Sequence, residues 1–176
     1  RDWSSDVCSS DLGVPPRASA CPTTSSLREK RSAPVKDAPA LLDTSALLAL
    51  LEDEPGADEV IRLLKAAEQG RGEVFASFAS LTELQYLTEQ EHGPQRASEL
   101  TALVRAWPMR IVFPDAQLSL EAGKLKAGHS ISFADAFIAA TAISLGAELV
   151  HKDPEYESLA DRLKLRPLPY KPRKAR

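Results

Sequence analysis

The chain has 176 residues, 43% hydrophobic and 27% charged, which is one domain's worth of ordinary globular sequence and excludes wholesale disorder. No apolar run approaches the roughly 18 residues of a membrane helix, so no membrane role is expected. The formal net charge of −3 conceals a split: residues 1–36 carry +2, residues 37–161 carry −12, and residues 162–176 carry +7.

Residues 1–36 are rich in Ser and Pro and show neither helical nor strand periodicity. Burial there could not offset the entropy of ordering, so the segment reads as disordered or artefactual. Its opening, RDWSSDVCSSDL, resembles the conceptual translation of a sequencing adapter read through into a reading frame, and residues 1–12 are set aside on that ground. The alternative is a natural disordered tail. A secretory signal would need a basic start and then an apolar stretch of about 7–15 residues, and neither is present. Both cysteines, Cys8 and Cys21, fall in this segment. The rest of the chain therefore has no disulfide scaffold and no cysteine-ligated zinc, and a reducing cytoplasm is its expected setting.

Periodic sequence begins near residue 37. Ala40-Leu41-Leu42 is a short apolar run suited to a buried parallel strand. Residues 44–53 read as a helix stopped by Glu54-Pro55-Gly56, and residues 57–69 as an amphipathic helix closed by Gly70. Val74-Phe75-Ala76 is a second strand, followed by helices over residues 80–91 and 95–107. A strand over 110–113, a helix over 115–127 and a long apolar helix over 132–145, closed by Gly146, come next. Residues 148–151 form a fourth strand, and residues 165–168 a strand whose prolines assign it to a sheet edge.

Short apolar strands alternating with helices predict an α/β domain around a parallel sheet, running over residues 37–168 and followed by a basic tail over 169–176. Ligands of such sheets sit beyond the carboxyl ends of the strands, where the strand order reverses.

Four acids fall near that face. Asp43 ends the first strand, Glu83 and Asp135 lie one turn into helices, and Asp153 closes the fourth strand. Each has a plain explanation as a helix cap: Asp43 and Asp153 as N-caps, Ser80-x-x-Glu83 and Ser132-x-x-Asp135 as capping boxes. Capping does not exclude ligation, because a carboxylate has two oxygens and about four lone-pair sites. Several carboxylates sharing a site would raise each other's pKa, and a divalent cation resolves the conflict. Oxygen donors without cysteine or paired histidine favour Mg²⁺ or Mn²⁺ over zinc. A cation so held would activate water against a phosphodiester.

The segments DTSALLALL, SLTELQYL, SFADAFIAATA and ELVHKDPEYESL, in that order, resemble the PIN-domain ribonucleases, specifically the VapC-type toxins of bacterial toxin–antitoxin pairs. The resemblance implies a PIN-like three-layer α/β/α fold with a short central parallel sheet. It also implies an endoribonuclease whose acidic quartet, Asp43, Glu83, Asp135 and Asp153, is catalytic and binds Mg²⁺ or Mn²⁺. An RNA substrate, a cognate antitoxin and a homodimer follow from the same resemblance. His151 departs from the pattern, which often has Thr or Ser two residues before the last Asp. The rival readings are a PIN-like nuclease of RNA maturation or DNA processing, and a non-catalytic PIN-like interaction module.

Side features carry paired readings. Thr44 and Ser45 either orient Asp43 and a metal-bound water or satisfy backbone N–H groups at the helix start. His151 is a proton shuttle or a structural ring, and Lys152 a phosphate contact or a solvated lysine. Phe133 and Phe137 read as core rather than stacking platforms, and Trp107 as core or interface.

The basic sequence after Asp161 is an RNA-backbone arm or a solvated end. If it is an arm, deleting residues 171–176 removes Lys171, Arg173, Lys174 and Arg176 and weakens RNA binding without moving the cut. Titration with one single-stranded RNA at several salt concentrations should then show log K against log salt flattened by about 3, at roughly 0.7 per neutralised phosphate. Identical slopes for full chain and truncation would identify a solvated end.

Overall fold

The computed structural model describes residues 37–169. Among them five strands, Ala40–Leu42 (β1), Val74–Ser77 (β2), Arg110–Val112 (β3), Glu148–His151 (β4) and Leu165–Pro167 (β5), pair in parallel in the order β3-β2-β1-β4-β5. The helices are Thr44–Leu51 (α1), Ala57–Glu68 (α2), Phe78–His92 (α3), Pro94–Arg105 (α4), Ala116–Gly128 (α5) and Phe133–Leu145 (α6), with a 3₁₀ helix over Pro154–Leu159.

The central strands are short and wholly apolar because both faces of the sheet are covered. Alternate side chains go to opposite sides. Leu41, Phe75 and Leu149 pack with Leu118 of α5, Ile138 of α6 and Tyr156 of the 3₁₀ helix. Leu42, Val74 and Val150 pack instead with Leu47 of α1, Val60 of α2, Leu84 of α3 and Val104 of α4. Each fully buried leucine contributes about 1.5–3 kcal/mol. The result is the three-layer α/β/α arrangement with a short central parallel sheet that the sequence predicts. Eight consecutive residues of α6, from Asp135 to Thr141 and on to Ala142, are buried, so this helix is sunk into the core rather than laid on it. Gly146 ends it in the left-handed region at φ 60°.

The strand order runs outward from β1 through β2 to β3, then resumes on the other side with β4 and β5. The reversal therefore lies between β1 and β4, and the loops after these two strands carry Asp43 and Asp153.

Several boundaries differ from expectation for local reasons. β2 runs directly into α3, whose N-cap is Ser77, with its hydroxyl accepting from the Ala79 amide at 3.3 Å. Ser80 is buried and donates to the Leu42 carbonyl at 3.4 Å, so the capping box predicted at Ser80 and Glu83 does not form. α1 stops at Leu51, where the chain turns through Asp53 at φ 51°. Gly56 sits at φ 99°, and a Cβ there would stand 3.0 Å from the Leu168 Cβ, so backbone freedom and space both require glycine. Trp107 packs partly buried against the α1–α2 side of the core.

β5 is the edge strand predicted from its prolines. Its Arg166 bonds Glu59 of α2 at 2.7 Å and also bonds Glu148 of β4. This part of the basic C-terminal sequence stitches the edge to the domain, and the arm reading of Arg166 is corrected accordingly. The predicted N-terminal segment, with Cys8 and Cys21, and the predicted basic tail beyond residue 169 lie outside the described residues. Among the described residues no helix is long and apolar enough to cross a membrane.

Candidate metal centre

The end of β1 presents the first acid. Asp43 adopts an extended backbone, caps α1, and takes the Ser45 amide at 3.1 Å and the Ser45 hydroxyl at 2.5 Å on Oδ2. Its own amide donates to the Val150 carbonyl of β4 at 3.0 Å. The Ser45 hydroxyl in turn accepts the Lys152 amide at 2.9 Å, tying together the two loops at the strand reversal.

Asp135 caps α6 reciprocally with Ser132: its Oδ2 accepts the Ser132 amide at 3.1 Å, and its amide donates to Ser132 Oγ at 3.0 Å. Asp153 caps the 3₁₀ helix through the Glu155 amide at 2.8 Å. Three of the four acids are therefore helix caps, as the plain reading has it. Glu83 is not. It lies beyond the first turn of α3 and accepts the Thr44 hydroxyl at 2.6 Å and the Tyr86 hydroxyl at 3.4 Å.

All four acids nevertheless line one cleft of about 560 Å³, together with Thr44, Ser45, Lys152 and Glu155. Capping uses some of their lone pairs and leaves others facing the cleft.

Tyr156 is the residue that sequence reasoning misses. It is fully buried, and its hydroxyl reaches Asp135 Oδ1 at 2.9 Å and Asp43 Oδ1 at 3.1 Å. One phenolic proton thus serves two carboxylates. The signal was present in KDPEYE, because a residue three positions after Asp153 on a helical turn lies beneath the cap. Glu155 was missed as well. Asp135, Asp153 and Glu155 can each offer an oxygen within 4.8 Å of the others, the one such group of three among the described residues.

Other expectations are revised. Thr44 holds Glu83, which neither of its readings foresaw, whereas Ser45 does orient Asp43. Lys152 is neither solvated nor free for phosphate: its ammonium pairs with Glu54 at 2.7 Å, and its side chain is only 10% exposed. His151 is buried and structural, with Nδ1 on the Asp153 carbonyl at 2.8 Å and its ring edge-on to Tyr156. Phe137 is core as predicted, but Phe133 is 69% exposed.

Electrostatics mark the same place. Burial pushes the Asp43 carboxyl above its ordinary range, and the charge of Asp135 pushes it further, against the pull of Ser45. Burial also raises Glu83; Thr44 opposes the rise, and the charges of Asp43 and Asp135 add to it. Tyr156 is raised well above the usual phenol value by burial and by the same two aspartates, so its hydroxyl stays a neutral donor. Anions are crowded here, and Lys152, the lysine lining the same cleft, is ion-paired with Glu54. The donor set is hard oxygen throughout, so the residues fit Mg²⁺ or Mn²⁺.

An α/β/α sandwich with acids converging at the strand reversal has the layout of a parallel-sheet fold that binds its ligands beyond the carboxyl ends of its strands. The particular family is shown by the match of residues 40–162 to the family model "PIN domain", and the chain belongs to that family. No curated protein matches the sequence. Three solved structures are similar over nearly their whole length. VapBC-1 from nontypeable Haemophilus influenzae is 25% identical with a TM-score of 0.58, covering 73% of this chain and 97% of that one. VapBC2 from Rickettsia felis, bound to a DNA fragment from its promoter, is 20% identical with a TM-score of 0.61, covering 74% and 99%. VapC20 from Mycobacterium tuberculosis, a sarcin–ricin-loop-cleaving toxin, is 20% identical with a TM-score of 0.56, covering 73% and 99%.

The raised carboxyls set a pH dependence. Asp43 and Glu83 hold protons more tightly folded than unfolded, so their contribution to stability is present at low pH and is lost as pH rises through their folded-state values. Glu59, lowered by Arg62 and Arg166, acts in the opposite sense and loses its contribution as pH falls. Comparison of Asp43→Asn with the parent isolates Asp43. Asparagine caps helices as well as aspartate does and keeps an acceptor oxygen. In metal-free buffer near neutral pH the variant should melt higher, by about 1 kcal/mol, the usual size of a stabilising change at a strained site. The gain should shrink as pH is lowered into the carboxylate range. A variant that melts lower at every pH would show that Asp43 serves only the helix start.

Proposed function

We propose that this protein is a metal-dependent endoribonuclease that hydrolyses RNA phosphodiester bonds and acts as the toxin of a toxin–antitoxin pair. The observation that carries the reading is the convergence of Asp43, Glu83, Asp135 and Asp153, far apart in sequence, on one cleft of a PIN-domain chain. The sarcin–ricin-loop-cleaving activity of the Mycobacterium tuberculosis relative supports it, as does the resemblance of the four acidic motifs to VapC-type toxins.

In this reading Asp43 and Asp135 are the principal ligands, and Glu83 and Asp153 complete the shell, with Glu155 as an added donor beside Asp135 and Asp153. A bound Mg²⁺ or Mn²⁺ supplies Lewis acidity, which neutralises phosphodiester charge and makes water a better nucleophile. The chain itself supplies orientation. Ser45 and Ser132 fix one oxygen of Asp43 and Asp135, and Tyr156 holds the other oxygen of each on a common point. Thr44 holds Glu83 at the rim. Such second-layer bonds keep first-layer ligands in place. A cognate antitoxin, a homodimer and a cytoplasmic setting belong to the same proposal.

Purified protein should cleave single-stranded RNA with Mg²⁺ or Mn²⁺, lose cleavage on chelation, and lose at least about 100-fold in rate on Asp135→Asn without unfolding. Cleavage of DNA instead would favour DNA processing. Unchanged melting with and without metal, and no cleavage of either, would favour the non-catalytic module. A short neighbouring reading frame for a DNA-binding antitoxin would separate toxin from RNA maturation.

Tyr156→Phe removes one hydroxyl and keeps the packed ring. The loss of an outer-layer partner typically costs 10–100-fold in metal affinity, so Mn²⁺ titrated calorimetrically should bind about 10-fold more weakly. Equal affinity in a folded variant would reduce the hydroxyl to core filling.

A further inference from the structure

An apolar groove of about 360 Å³ opens beside the carboxylate cleft, and its lining includes Phe78 and Tyr86 of α3 and Phe133 of α6. The two cavities are continuous in composition: Glu83 and Ser132 line both. Phe133 is 69% exposed and Tyr86 43% exposed. Phe133 is also held from below. Its ring meets Phe137 edge-on at 5.0 Å, and Phe137 meets Phe78 edge-on at 5.1 Å. A single exposed apolar side chain needs no explanation. An exposed ring that rests on Phe137, itself resting on Phe78, and stands two residues from Asp135 offers a π-face beside the carboxylate cleft.

We infer that this groove is a subsite for one unpaired nucleobase of the RNA strand, stacked on Phe133 next to the scissile phosphate. The inference rests on the proposed ribonuclease activity and deepens it. Adjacency sets the occupant: a strand whose phosphate lies among Asp43, Asp135 and Asp153 must place its neighbouring base within a few ångströms, and the shared wall at Glu83 and Ser132 is where it would go. Charge agrees with this. Residues 37–161 carry −12, so phosphates gain little from them, whereas a base has a neutral π-face that stacks on an aromatic ring. Stacking tolerates any base, so the subsite would position the strand and favour single-stranded over paired RNA.

The test uses the full chain with Ca²⁺ in place of Mg²⁺ to suppress cleavage, and follows the anisotropy of labelled single-stranded RNA octamers. Phe133→Ala should weaken octamer binding about 10-fold, the size expected for losing one stacked base. Phe133→Trp should restore it, and Phe133→Leu, which keeps apolar bulk without a π-face, should not. An octamer scanned with a single abasic site should show one position where the parent loses affinity and Phe133→Ala does not. Equal affinity of Phe133→Ala for intact RNA would overturn the subsite. So would a loss that is the same for intact and fully abasic strands. A Phe133→Ala variant whose only change is in sedimentation, from dimer to monomer, would assign the groove to self-association and also overturn it. Failure of the parent protein to bind or cleave any RNA would instead count against the ribonuclease reading.

Discussion

Two buried aspartates that share a single hydroxyl proton set the conditions under which the rest of this site exists. Asp43 and Asp135 arrive from elements 92 positions apart in sequence, and the Tyr156 hydroxyl touches both. Bringing like charges together in a buried place costs free energy, visible in the raised Asp43 carboxyl, and one phenolic proton cannot cancel it. The fold holds them there through rigid supports. Asp43 is anchored by its amide on the Val150 carbonyl and by Ser45, Asp135 by a reciprocal cap at the start of a helix sunk into the core. The stabilising mass lies in the two apolar layers, and the destabilising charge is concentrated at the strand reversal between them. Such a distribution suits a protein whose site is completed by a cation.

The same geometry explains why capping and ligation need not compete. A carboxylate that caps a helix is already fixed in direction, with one oxygen occupied by a backbone amide. Its remaining lone pairs point away from the helix, toward the loops that follow neighbouring strands. A parallel sheet puts all those loops at one end. Caps on adjacent elements are thereby turned toward one another, and an acidic cleft arises from features that each serve local structure.

This overlap also decides how much was legible in the sequence. Strands as apolar as Ala40–Leu42 announce a sheet buried on both faces, and Gly146 and the prolines of Leu165–Pro167 mark a helix end and an edge. Asp43, Asp135 and Asp153 could be located because they stand at element ends, which patterning reveals, whereas Glu83 lies inside α3 and was placed by a helix cap expected three residues too late. Side-chain partners could not. Thr44 was readable as a helix-start hydroxyl, but its bond to Glu83 spans 39 positions and depends on how α3 leans over α1. The expected box at Ser80 failed because β2 passes into α3 with no loop, which moves the cap back to Ser77. Phe133 was misread for a related reason: it sits in an apolar helix, yet it is the first helical residue and projects past the layer that buries Phe137.

An acidic body that is to handle a polyanion must draw attraction from groups other than its own surface charge. Two basic residues of the domain are already committed, Lys152 at the site to Glu54 and Arg166 on the edge strand to Glu59 and Glu148. Long-range steering by the described domain therefore disfavours RNA, and short-range contacts have to compensate. In the proposed reading a divalent cation would do so at the phosphate, and an exposed ring at the base. The two lie side by side across Glu83 and Ser132, and that adjacency divides the labour. The carboxylates recognise charge only once a cation is bound, while the aromatic wall recognises a feature of nucleic acid that carries no charge. Binding that depends on both would be nearly silent toward free phosphate and toward duplexes whose bases are stacked away, and it would rise where a single strand offers a phosphate and an unpaired base together.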